Sequence, residues 1–192
     1  MKTRLLIVSA AALALAACGS GEDATEAPAA NETMAATADS AAEPDPATPQ
    51  GFVAMAASSD MYEIEAGRLA QEMGQDQAIK DFGEMMVMDH TSSSEKLKAA
   101  VAQGGASLSV PPDMLPKHQQ QLDALRNAGD NFDSIYAQQQ VAAHQEALNL
   151  LQDQASTGTI ESLKAFAAET APVVEGHLEQ ARELVGGAGG GQ

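Results

Sequence analysis

Four stretches of this chain space their inward-type residues by three and four, a period that a helix satisfies and a strand does not. The first carries Phe52, Met55, Ser59, Glu63, Ala66 and Met73, and the second Ile79, Phe82, Met86, His90, Leu97 and Val101. The third carries Phe132, Tyr136, Gln140, His144, Leu148 and Leu151, and the fourth Leu163, Phe166, Thr170, Val174, His177, Ala181 and Leu184. Gly74 with Asp76 breaks the pattern once, and Gly158 with Thr159 breaks it again. Helices are therefore predicted over about 52–73, 77–102, 131–155 and 160–184. A longer connection holds Pro111-Pro112 and a short helical piece near 115–126. No alternating β-branched run is long enough for a strand. Two short turns around one long connection suit an all-α protein of two antiparallel hairpins packed as a four-helix bundle.

These stripes are not wholly apolar. The second, third and fourth each place one histidine among core positions (His90, His144, His177), and the first places Glu63 there. The remaining histidine, His118, falls in the polar stretch PKHQQQ of the long connection. Each position also has a plainer use. Asp60 with Glu63 reads as a capping-box-like pair that would break and restart the first helix. Asp130 can cap the third helix, and Asp133 can favour its dipole. Pro172 removes an N–H and is a candidate kink. Glu95–Lys98 and Glu179–Arg182 have the spacing of solvated surface pairs.

The pieces EIEAGRLA (63–70), FGEMMVMDH (82–90), FDSIYAQQQVAAH (132–144) and FAAETAPVVEGHLEQA (166–181) occur in that order. As an ordered set they resemble the secreted bacterial proteins of domain of unknown function 4142. The resemblance implies a ferritin-like four-helix fold and draws attention to Glu63, Asp89, His90, Asp133, Tyr136, His144, Pro172 and His177. It implies no activity, because the family has none assigned.

A ferritin-type di-iron centre needs a Glu on each of two helices and a Glu-x-x-His on each of the others. No Glu-x-x-His occurs here, so that chemistry is disfavoured. Two readings stay open. In one, Glu63, His90, His144 and His177 bind a single transition-metal ion, with Asp89 as a further ligand or a support for one, and Met86 or Met88 as soft donors. In the other, the imidazoles are a buried polar network satisfied by Asp89, Asp133 or Tyr136, and the protein is a structural or interaction module. Counting from the turns sets His177 some six residues deeper than His144, about 9 Å at 1.5 Å per residue, which weighs for the network. No phosphate loop, nucleophile elbow, cysteine nucleophile or His-Glu-x-x-His is present, so no catalytic motif is recognisable.

Residues 1–17, MKTRLLIVSAAALALAA, have two cations and then an apolar run too short to span a bilayer, as a signal peptide does. They end in Leu15-Ala16-Ala17-Cys18, which closely resembles a bacterial lipobox. That resemblance implies lipidation of Cys18 and, with Gly19 following, sorting to the outer membrane facing the periplasm. Cys18 is the single cysteine, so no intrachain disulfide can form. Residues 18–50 hold seven acidic residues, no basic one and almost no large apolar side chain, which predicts a disordered tether. As a flexible chain it spans about 30 Å. Residues 51–185 remain as the folded domain and 186–192 as a flexible Gly-rich tail. The net charge of −17 repels nucleic acid and favours a cation or a basic envelope protein as partner.

Overall fold

The computed structural model describes residues 43–105 and 107–188, and among them every regular element is helical. The elements are α1 (Pro49–Met73), α2 (Gln77–Gly104), α3 (Pro116–Arg126), α4 (Phe132–Thr157) and α5 (Glu161–Ala188), with one 3-10 turn (Gly129–Asn131) before α4. Cys18, the signal segment and most of the tether lie outside the described residues. α1 begins earlier than its periodicity shows, because Thr48 Oγ1 accepts the Gly51 N–H at 3.0 Å and Pro49 occupies the first turn. Gln50 is thus helical, and its side-chain amide exchanges two hydrogen bonds with the Ser109 backbone, at 2.8 and 3.0 Å. At the other end, α5 continues through Gly186 and Gly187. Asp76 caps α2 by accepting the Ala78 N–H at 3.0 Å.

α1 packs on α2, α2 on α5, α5 on α4 and α4 on α1. Cross-helix contacts fix the directions. Asp60 meets His90 while Gly67 meets Gly83, so α1 and α2 run antiparallel. Lys96 pairs with Glu169 and Ser162 donates to the Ala100 carbonyl, so α2 and α5 do too. Tyr62 donates to Gln139 while the Gln75 N–H reaches Asp133, which sets α4 antiparallel to α1. The connection carrying α3 therefore runs the length of the helices. Asp133 is half-buried and serves that geometry: its carboxylate accepts the Gln75 and Asp76 N–H groups, tying the first turn to the start of α4. Asp130 lies inside the 3-10 turn and makes no side-chain cap.

α1 and α2 approach closely where Gly67 faces Gly83. A Cβ on Gly83 would stand 2.7 Å from the Ala70 Cβ and from the Gly67 carbonyl oxygen, so only glycine fits without displacement. Two apolar clusters fill the interior. One gathers Phe52, Leu97, Leu148, Leu151, Leu163 and Phe166; the other gathers Ile79, Phe82, Met86, Leu122, Phe132 and Tyr136. Burying each such side chain contributes about 1.5–3 kcal/mol. Met86 is packing, with no exposed surface, whereas Met88 is 61% exposed and faces solvent. Neither predicted surface pair forms among the described residues. Lys96 reaches Glu169 instead, and Arg182 donates to Gln145 at 3.1 Å.

Candidate metal centre

Between the two clusters lies a polar layer. α2 delivers His90 one turn past Met86, α4 delivers His144 one turn before Leu148, and α5 delivers His177 one turn past Val174. All three are buried, at 5%, 1% and 4% exposure. The ring centroids stand 5.4–5.8 Å apart, and one nitrogen from each ring lies within 4.8 Å of the others. The nine-ångström offset expected between His144 and His177 does not arise. α4 extends to Thr157 and α5 starts at Glu161, which leaves the two rings three residues out of step, about 4.5 Å. The reach of two imidazoles covers that difference. No kink at Pro172 is needed, and that residue sits on the exposed face of α5.

Each ring is fixed by its outer nitrogen. His90 Nδ1–H donates to Asp60 Oδ1 at 2.8 Å, and Ser94 Oγ–H donates to the other Asp60 oxygen at 3.3 Å. His144 Nδ1–H donates to the Gln140 carbonyl at 2.9 Å, and His177 Nε2–H donates to Asp89 Oδ2 at 2.9 Å. A carbonyl or carboxylate can only accept, so these bonds put the lone pair on the opposite nitrogen of each ring. Those nitrogens, His90 Nε2, His144 Nε2 and His177 Nδ1, are buried with no partner in the protein. The outer carboxylate or carbonyl on each imidazole is the support that metal-binding histidines carry.

Electrostatics separate the three rings. Burial, then the neighbouring His90 and, against the Gln140 carbonyl, His177, push the His144 imidazole down to about 3. His177 is also lowered, by burial and then by His90, against the pull of Asp89. Burial would lower His90 as well, but its hydrogen bond to Asp60 and the charges of Asp60, Glu63 and Asp89 outweigh it and raise that ring. Neutral imidazoles are what a metal ion requires.

Glu63 is placed differently from its sequence expectation. It is interior to an unbroken α1 and 1% exposed, so it caps nothing. Its Oε1 lies 3.8 Å from His144 Nδ1, and its carboxylate is outside the converging set. Burial pushes this carboxyl up to about 7, against the opposing pull of His90 and the Gln140 amide. Asp89 supports His177 from a half-exposed position. Tyr136 stacks on Phe132 and packs edge-on against Phe82, which in turn meets His144. Asp60 is the residue the sequence reading missed as part of the centre. Its capping-box spacing was the competing signal, and the signal that could have found it is its place three residues before Glu63 on the same helix.

His118 is buried as well, but elsewhere. Its Nδ1 shares a hydrogen bond of 2.6 Å with Ser58 Oγ, and its ring stacks on Tyr62 with centroids 5.3 Å apart. Ser58 Oγ also accepts the Leu115 N–H at 2.8 Å, so this histidine pins α3 to α1.

A family model described as a domain of unknown function (DUF4142) matches residues 32–184. No curated protein and no solved structure matches the chain.

Proposed function

The chain belongs to the DUF4142 family, which is a family of unknown function, so its role has to come from its own residues. We propose that it binds one divalent transition-metal ion through His90 Nε2, His144 Nε2 and His177 Nδ1. The observation that carries this reading is that three buried rings bring one nitrogen each within 4.8 Å of one another, while each ring keeps one nitrogen without a partner and bonds an acceptor through the other. A polar network that existed only for packing would satisfy those nitrogens, since each unsatisfied one costs about 1–3 kcal/mol.

The donor set fits the ion. Three imidazole nitrogens suit Zn, Cu, Ni or Fe, and Asp60, Glu63 and Asp89, the acidic groups that raise His90, surround the place a cation would take. Nitrogens on one ion at about 2.0–2.1 Å stand roughly 3.4 Å apart. The three nitrogens, within 4.8 Å of one another, would have to draw closer to reach that spacing. In this reading the four long helices form a ferritin-like bundle that carries a mononuclear site in place of a di-iron one. The lipobox-like Leu15-Ala16-Ala17-Cys18 supports a domain that stands off the outer membrane on a tether anchored at Cys18, and no helix among the described residues is long and apolar enough to cross a membrane.

The test is metal analysis of untagged protein purified without chelator. One equivalent of metal, lost when His90 and His144 are both changed to Ala, is the expected result. A metal-free protein whose melting is indifferent to added Zn(II), Cu(II), Ni(II) and Co(II) would refute it. The anchor has its own test, since Cys18→Ser should release the protein from membranes into the periplasmic fraction.

A further inference from the structure

Three protein ligands leave one position on a tetrahedral ion, and two sides of the histidine layer could receive it. On the side of the Leu148 and Phe166 cluster, a cavity of about 30 Å³ is lined by Ala56, Asp60, His90, Phe166 and Val174 and is almost wholly apolar. On the other side, one helical turn away, stand Glu63 and Gln140, with Tyr136 a turn beyond. Their exposures are 1%, 0% and 0%. Glu63 Oε2, both polar atoms of the Gln140 amide and the Tyr136 hydroxyl have no partner in the protein. Gln140 lies beside Glu63 and Tyr62 but reaches neither with hydrogen-bond geometry.

Four unpaired polar atoms spread over two successive turns form an expensive arrangement unless they face a polar occupant. The Glu63 carboxylate is too far back to join the histidines directly. A metal-bound water extends an ion's reach to a carboxylate about 5 Å away that accepts its hydrogen bond.

Resting on the metal reading above, we propose that the ion keeps its fourth position open toward Glu63. That position takes water, whose O–H groups Glu63 and the Gln140 side-chain oxygen can accept, and a small added anion can displace it. The surface on the side of the Leu148 and Phe166 cluster is almost wholly apolar even though Ser59, Asp60, Ser93 and Thr170 contribute to its lining, so it presents few polar atoms to such a ligand. Glu63 is then a positioning residue and not a metal ligand. The site has the layout of an exchangeable centre, in contrast to the closed four-ligand sites that only hold a fold together.

The experiment uses the full chain loaded with Co(II), with metal content measured first and the visible spectrum then titrated with azide. The expected result is one cobalt per chain and a saturable spectral change with azide. Glu63→Gln should keep one cobalt per chain and shift the azide affinity severalfold, because the group facing the open position has changed from a carboxyl to an amide. A cobalt-loaded protein whose spectrum ignores azide overturns the proposal. So does loss of cobalt from a folded Glu63→Gln, which would make Glu63 a ligand, or an unchanged azide affinity in that variant. Absence of cobalt from the wild type overturns the metal reading itself, and the metal measurement separates the two failures. If Glu63→Gln does not fold, the wild-type titration still decides whether the position is open, and Gln140→Met replaces it with the same expectation of altered azide affinity.

Discussion

Replacing His144 by leucine separates a metal centre from a packing network more sharply than deletion does. In the chelator-treated protein, the substitution removes a buried nitrogen, Nε2, that has no partner. Relieving such a group is worth about 1–3 kcal/mol. It also removes the Nδ1–H bond to the Gln140 carbonyl, worth about 0.5–1.5 kcal/mol. That carbonyl keeps its place in the α4 ladder, so no new orphan is created. Leucine is of similar size to histidine and lies between two apolar clusters, where its added apolar surface contributes on the order of 1 kcal/mol. The metal-free variant should therefore be more stable than wild type by about 1–2 kcal/mol, or roughly 3–7 °C in Tm. With metal at about a hundred times Kd the wild type gains about 2.7 kcal/mol and the variant gains none, so the order of stabilities reverses. Thermal and urea unfolding, each with and without metal, measure all four numbers. A metal-free variant less stable than wild type by more than about 1 kcal/mol would refute the reasoning, because it would mean that His144 stabilises the fold through a satisfied contact.

Asp60→Asn should lower metal affinity by about 10- to 100-fold while leaving the stoichiometry at one, since the amide orients His90 less firmly than the carboxylate; competition with a chromophoric chelator reads this directly. Gly83→Ala should cost about 1–3 kcal/mol in urea unfolding through its clash with Ala70 and the Gly67 carbonyl. Gly176→Ala, whose Cβ meets nothing within 4 Å, should instead gain about 0.5–1 kcal/mol. Burial, then the Lys117 charge, against Glu146 and Ser58, holds His118 down to about 4. The folded chain thus refuses a proton that the unfolded chain takes near its ordinary 6.5. Stability from this residue is present above about pH 6.5 and lost as pH falls toward 4, on the order of 2–3 kcal/mol in all. Unfolding free energies across that window should fall less steeply in His118→Gln than in wild type.

The helices were largely legible from periodicity. The 77–102 expectation became Gln77–Gly104, and 160–184 became Glu161–Ala188. Inward facing was legible too, because a period of 3.6 assigns faces locally; His90, His144 and His177 all lie where their stripes put them. Axial depth was not legible to the same accuracy. A two-residue extension of α4 and a one-residue delay of α5 halved the offset that had argued against convergence.

The amino-acid pattern by itself determined an all-helical domain with one imidazole on the core side of each of three helices. Tertiary structure decided how the hairpins pair across the long connection, with α2 on α5 and α1 on α4. It also decided which nitrogen of each ring is free. That choice depends on acceptors 30 residues away for His90 and 88 for His177, partners that only packing brings within hydrogen-bond range. The same packing turned Asp60 from a predicted cap into the support of His90, since a carboxylate interior to a helix can only be satisfied by what the neighbouring helix presents to it.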